Sequence, residues 1–158
     1  MFITIFTDAS FCPNTKATGW AVWIKYGANG TTVQHKGGYI AHNHEHALQG
    51  ELFALKASIE MCKLLEEHNR MDLKNKIIVL QSDCKEALKR LDTTLLYDKG
   101  AHYVKKKWVK AHTGSDDKRS SVNNWCDKTA YAEMKKRRHW SKAKRKHHQN
   151  NGEKRTII

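Results

Sequence analysis

Phe2-Ile3-Thr4-Ile5-Phe6-Thr7-Asp8-Ala9-Ser10 is an apolar, β-branched run that meets a carboxylate near its end. Side chains of this kind suit the pleat of a buried strand and leave almost no position facing water. The run therefore predicts a central strand, with Asp8 where that strand leaves the sheet, a place that favours binding and chemistry. Taken alone, Asp8 has a second reading, as the start of a turn through Pro13 and Asn14.

Two further runs follow, Gly19 to Tyr26 and Thr31 to Ile40, on either side of Gly27-Ala28-Asn29-Gly30. They read as a hairpin, so three strands open the domain as an antiparallel meander. The polar His42-Asn43-His44-Glu45-His46 reads as a loop. Alternate loop histidines without a fourth spaced ligand are solvated or touch substrate more readily than they clip a metal. From Leu48 the period becomes helical, with Leu48, Leu52, Leu55, Ile59, Cys62 and Leu65 at steps of three and four. Glu51 falls on that apolar stripe. A carboxylate carried toward a sheet needs a cation, a hydrogen-bond network or a proton, unless it escapes to solvent at the helix start, where the dipole favours it.

Lys76 to Asp83 repeats the first pattern, an aliphatic run that finishes in an acid, and Cys84 to Leu91 is then helical. Strand, Asp and helix in succession form a βα unit of a parallel arrangement. Asp92 to His102 reads as a polar connection, Tyr103 to Lys110 as a basic strand leading to His112, and Ala111 to Ser121 as loop. Ser121 is a candidate N-cap for a last helix running to Met134, on which Asp127, Ala130, Tyr131 and Met134 share one face. The four acids Asp8, Glu51, Asp83 and Asp127 thus interrupt core-directed patterns at the ends of elements. If the first and fourth strands lie side by side, charges so close require a compensating cation. Carboxylate oxygens select a hard divalent ion, with Mg²⁺ the best fit because it shares its shell with water and phosphate.

The chain has 158 residues, 39% of them hydrophobic, enough for one domain with a real core. No apolar run approaches the roughly 20 residues of a membrane span, and the N-terminus lacks the basic region of a signal peptide. Cys12, Cys62, Cys84 and Cys126 are widely spaced and form no C-x-x-C pair, which predicts reduced structural thiols rather than a zinc site. A cytoplasmic setting, or a host's cytoplasm for a viral chain, is expected, with no membrane partner. Net charge is +13 and pI about 9.7. Residues 128–158 hold eleven Lys and Arg against two acids, Glu133 and Glu153. Such an excess attracts a polyanion, most commonly nucleic acid. Residues 141–158 are expected to be a flexible basic tail to a domain of residues 1–140. Trp20, Trp23, Trp108 and Trp125 read as packing residues, while Trp140 sits in a basic cluster that could meet bases.

Thr7-Asp8-Ala9-Ser10, Gly50-Glu51-Leu52-Phe53-Ala54-Leu55, Gln81-Ser82-Asp83, Trp108-Val109-Lys110-Ala111-His112-Thr113-Gly114 and Asn123-Asn124-Trp125-Cys126-Asp127 resemble, in order and spacing, the motifs of type 1 ribonuclease H over roughly residues 1–140. The resemblance implies an α/β ribonuclease H-like fold, a five-stranded mixed sheet in the order 3-2-1-4-5 with helices on both faces. It implies a monomeric endonuclease that cuts the RNA strand of an RNA–DNA hybrid to 5′-phosphate and 3′-hydroxyl ends, using Mg²⁺, two ions with substrate bound, or Mn²⁺ in its place. Asp8, Glu51, Asp83 and Asp127 match the metal-binding acids, and His112 matches a histidine that assists proton transfer or product release. Ser10 and Asn123 match polar residues near the substrate.

Three departures stand out. Ala9 replaces a usual Gly. The interval from Asp83 to His112 is short for the extra helix and basic handle of many members, so hybrid binding would rest on Lys105, Lys106, Lys107 and the basic tail. Ala47 and Leu48 occupy the places of the pair that reads the RNA 2′-hydroxyl, leaving Asn43 and Gln49 as candidates. Two alternatives therefore stand beside hybrid cleavage: a nuclease of the same fold acting on structured DNA or another RNA, and a non-catalytic nucleic-acid-binding module.

Overall fold

A computed structural model of the chain describes residues 2–27, 30, 32–40, 44–110 and 118–143, with the side chains of the last helix described over 121–138. Five strands form one sheet: β1 (Phe2–Phe11), β2 (Thr18–Tyr26), β3 (Thr32–Tyr39), β4 (Ile77–Ser82) and β5 (Tyr103–Trp108). Their order is β3-β2-β1-β4-β5, with β1, β2 and β3 antiparallel and β1, β4 and β5 parallel. The mixed sheet and its order agree with expectation. β1 is central, as its apolar run predicts, because only a strand flanked on both edges and both faces has no use for polar side chains.

Strand β1 does not end at Asp8. It continues to Phe11, since β2 keeps pairing with it through Asp8↔Ala21 to Phe11↔Thr18. Its parallel ladder with β4 stops earlier, at Phe6↔Gln81. Asp8 is therefore at a strand end on one side only, where β1 and β4 part.

Helix α1 (Ala47–Glu67) covers one face of the sheet. Leu55, Ile59 and Cys62 of its stripe are buried, while Leu48, Leu52 and Leu65 pack on the core from its margin. Ile3, Ile5, Val22, Ile24, Ile78 and Leu80 meet it from the strands, each 1% exposed or less. The helix starts where Gln49 Oε1 accepts the backbone N–H groups of Glu45 and His46, at 2.6 and 2.9 Å, satisfying donors ahead of the first turn.

Between β4 and β5 lie α2 (Lys85–Arg90) and a short α3 (Thr94–Asp98). The second of these replaces the plain connection expected there. Asp92 Oδ1 accepts from both the N–H and the hydroxyl of Thr94, at 2.9 and 2.6 Å, and the turn it starts buries Leu96 completely. Two leucines in a polar stretch gave too little periodicity to reveal one helical turn and a half.

Helix α4 (Lys118–Ala143) lies on the opposite face against β1, β2 and β3. It begins before Ser121 and runs well past Met134. No Gly or Pro interrupts residues 118–143, and buried Arg137 ties the later turns down through Nε donating to the Ile40 carbonyl at 3.2 Å. The core-facing line is Cys126, Ala130, Met134 and Arg137. Tyr131 falls outside it, 48% exposed with the Lys135 ammonium over its ring, because the helix is rotated one residue from the expected phase. Gly19 makes this close seat, for a Cβ there would collide with the backbone of Ala130 and Met134. The four cysteines are free thiols, and no described helix is long and apolar enough to cross a membrane. The region of the basic tail beyond residue 143 lies outside the described residues.

Candidate active site

Four elements deliver one acid each to the place where β1 and β4 separate. Asp8 comes from β1, past the last rung shared with β4. Asp83 follows directly on β4, whose end is held to β5: Val109 N–H donates to the Ser82 carbonyl at 3.0 Å, and the Trp108 indole N–H to the Asp83 carbonyl at 3.0 Å. Ser82 Oγ accepts the Cys84 N–H at 3.1 Å, turning the chain into α2. Glu51 arrives on α1, one turn in from its start at Ala47. Its neighbour Gly50 is what lets the helix come so near, because a Cβ at that position would lie 2.6 Å from Thr18 Cγ2 and 3.4 Å from Ala9 Cβ. Asp127 comes from α4, beside Cys126, whose thiol points at the Phe6 carbonyl at 3.9 Å.

Carboxylate oxygens of Asp8, Glu51 and Asp83 all lie within 4.8 Å of one another. Asp127 lies near enough to add its charge to that of Asp8, and with Asp8 and Asp83 it lines a small cleft that also holds Thr7, Val109, Lys110, Asn123 and Asn124. Burial, then the charge of Asp83, pushes the Asp8 carboxyl up to about 8 from its ordinary 3.8. Burial, then the charges of Asp8 and Asp83, pushes Glu51 to about 9 from 4.5. Glu51 Oε1 is buried and has no hydrogen-bond partner among the described residues. A buried carboxylate oxygen without a donor, among others that cannot all ionise, is a poor arrangement by itself and a good one around a cation. The all-oxygen donor set fits a hard divalent ion.

Of the other expected contacts, Asn123 is brought to the cleft, and Ser10 sits half-buried two residues beyond Asp8, paired with Gly19. Gln49 is exposed, with its carbonyl engaged in the helix cap. Strand alternation divides the three lysines of β5. Lys105 and Lys107 lie on the α4 side of the sheet, whereas Lys106 is on the α1 side with its ammonium on the Leu91 carbonyl at 2.7 Å. His112 and Asn43 lie outside the described residues. Among the loop histidines, His44 is buried near the Phe53 ring and His46 is the N-cap residue of α1.

Sequence reasoning missed the placing of Lys110 and Asn124 in the cleft, and the part played by Trp108. That ring is 45% exposed rather than core, with the Lys85 ammonium 4.3 Å from its centroid. A lone Trp closing a basic strand carries no signal of a hydrogen bond to the end of the neighbouring strand.

No family model matches the chain, and no curated protein does. Solved structures do. The N-terminal RNase H domain of rv2228c from Mycobacterium tuberculosis, a fusion with maltose-binding protein, superposes with TM-score 0.55 and 14% identity, over 87% of this chain and 96% of that one. RNase H1 of the halophilic archaeon Halobacterium salinarum NRC-1 gives 0.56 and 16%, over 86% and 99%. LC11-RNase H1, in a complex with an RNA/DNA hybrid, gives 0.55 and 15%, over 85% and 97%. The fold is that of ribonuclease H.

Proposed function

We propose that this protein is a divalent-metal-dependent endonuclease that hydrolyses the RNA strand of RNA–DNA hybrids to 5′-phosphate and 3′-hydroxyl products. The observation that carries this reading is the convergence of four carboxylates from four separate elements on a chain of net charge +13. A module that only bound phosphate would gain nothing from that concentration of negative charge.

Asp8, Glu51, Asp83 and Asp127 would hold Mg²⁺ or Mn²⁺, two ions when substrate is present. A bound ion would supply neutralisation of phosphate charge and a water of lowered pKa for in-line attack. The chain's own residues position the rest. Lys110 and Asn123, which line the cleft, would receive the non-bridging phosphate oxygens. Trp108 steadies Asp83 through its backbone carbonyl. Ser10 borders the carboxylates from β1. Lys105 and Lys107 would attract the hybrid's backbone, with the basic tail beyond residue 143. His112 would handle a proton at the reacting phosphate, its ordinary pKa lying near neutrality.

Asn43 and Gln49 are the candidates for reading the RNA 2′-hydroxyl. Because the Gln49 carbonyl already serves the α1 cap, a second reading keeps the chemistry and changes the substrate, to structured DNA or another RNA. End-labelled hybrid, duplex DNA and duplex RNA, incubated with the protein at one salt concentration with Mg²⁺ or EDTA, decide between them. Hybrid cut only at the RNA strand, only with metal, and not by Asp83→Asn is the expected result. Cleavage by Asp83→Asn at the wild-type rate would remove the assignment.

A further inference from the structure

The two faces of the sheet are unlike. Helix α1 packs against β1, β2 and β4 on one face, whereas α4 packs on the other against β1, β2 and β3, with no comparable contact to β4 or β5 among the described residues. Below α4 the strand register sets out two cross-strand rows. One runs His35, Trp23, Phe6, Gln81, Lys107 and the next Val33, Lys25, Thr4, Val79, Lys105. Lys25, His35 and Lys105 are exposed, and Trp23, Thr4 and Val79 are half-buried. The Trp23 and His35 rings stack at 5.6 Å with planes 15° apart, and Trp125 of α4 meets both edge-on at 5.4 and 4.9 Å.

The two rows below α4 carry charge of one sign. Asp8 is the only acid in all five strands, and it stands at the other end, under α4. Lysines on β5 have an ordinary explanation, since they keep an edge strand from pairing with another chain. That explanation does not reach Lys25, which is in β2, an interior strand between β3 and β1. Nor does packing alone account for an exposed imidazole laid flat on an indole.

We propose that the uncovered half of this face is a second nucleic-acid site, one that takes a single strand. A polyanion is the complement of a surface with lysines and no acid. Stacking on the exposed His35 ring, backed by Trp23, requires a base that is not paired, and the flanking lysines supply cations for its backbone. Lys25 and Lys105 are separated by three strand spacings, roughly 14 Å, with Thr4 and Val79 between them, so a strand crossing the sheet meets a cation on either side. The site lies on the sheet's face, away from the carboxylates; it shares Lys105 with the surface proposed for the hybrid's backbone, and its occupancy does not depend on hybrid cleavage.

The test uses the full chain in EDTA, where no turnover occurs, with fluorescein-labelled 15-nucleotide RNA and DNA single strands and anisotropy over a salt series. Lys25→Gln should weaken binding and lower the slope of log K against log salt by about 0.7, the value of one phosphate contact on a single strand. Lys25→Gln with His35→Ala should lose about tenfold in affinity, and Lys25→Arg should restore the slope. Melting temperature and the hybrid-cleavage rate at saturation should stay at wild-type values in each. Photo-crosslinks from 4-thiouridine should map to β2 and β3 peptides. Unchanged affinity and slope, crosslinks confined to residues 144–158, or a self-association that Lys25→Gln abolishes would each overturn the proposal. A chain that binds single strands through β2 and β3 yet cuts no hybrid would sink only the proposed activity.

Discussion

Replacing Asp8 by Asn should make the metal-free protein more stable, and the gain should grow with pH. In the folded chain the Asp8 carboxyl is held at about 8 against an ordinary 3.8, chiefly by burial and then by Asp83. An acid whose pKa is raised by folding binds its proton more tightly in the folded state. Its unfavourable contribution is absent below pH 4, appears as pH climbs past the unfolded value, and is complete above pH 8. At about 1.4 kcal/mol per pKa unit, the whole shift corresponds to roughly 5 kcal/mol at pH 7.5. Part of that repulsion is shared with Glu51, Asp83 and Asp127, and neutralising one member relieves the others, so the net gain is about 2–3 kcal/mol. For a chain of this size that is about 5–10 °C in melting temperature.

Thermal melts in EDTA at pH 4.5, 6, 7.5 and 8.5 measure it. Asp8→Asn should nearly match wild type at pH 4.5 and exceed it progressively to pH 8.5. Added Mg²⁺ or Mn²⁺ should raise the wild type more than the variant, since only the wild type keeps the full donor set. A variant that melts below wild type at pH 8.5 in EDTA, or a difference that does not change with pH, would mean that the carboxylates are not crowded in the way the structure has them.

Three other perturbations probe the frame around the site. Gly50→Ala drives a methyl toward Thr18 and should cost about 1–3 kcal/mol while shifting Glu51, so activity should fall further than melting temperature does, and equal effects would refute the close-approach argument. Trp108→Phe keeps a ring but removes the donor to the Asp83 carbonyl; the Mg²⁺ concentration for half-maximal cleavage should rise by up to about tenfold with stability little changed, and an unaltered metal dependence would dismiss the role. Removing residues 144–158, which carry five Lys and Arg against one Glu, should weaken hybrid binding and lower its salt slope with the saturated rate kept; equal affinity and slope would show that the tail makes no phosphate contact.

Much of the fold was legible in the chain because its signals are local. An aliphatic run that meets an acid, twice, marks two buried strands, and a glycine-bounded hairpin and a three-four stripe need only neighbouring residues to be read. The acids themselves were visible as interruptions of those patterns. Less visible were the short helix at Thr94–Asp98, held by the hydrogen bonds of Thr94 to Asp92 and one buried leucine, and the phase of α4, which turns Tyr131 outward. A one-residue rotation changes no local propensity and is decided by what the helix packs against.

Sequence alone, then, determined which residues could do chemistry and on which elements they ride. Tertiary structure decided that they meet. Register between β1 and β4 ends at Phe6 and Gln81, so Asp8 and Asp83 face each other across a gap rather than a ladder. The missing Cβ of Gly50 lets a helix set Glu51 among them. The same sheet separates Lys106 from Lys105 and Lys107 and, among the described residues, leaves Lys25 and Lys105 exposed on the α4 side. Pairing register, close approach and the coverage of a face are relations between segments far apart in the chain, and no window of sequence contains both partners.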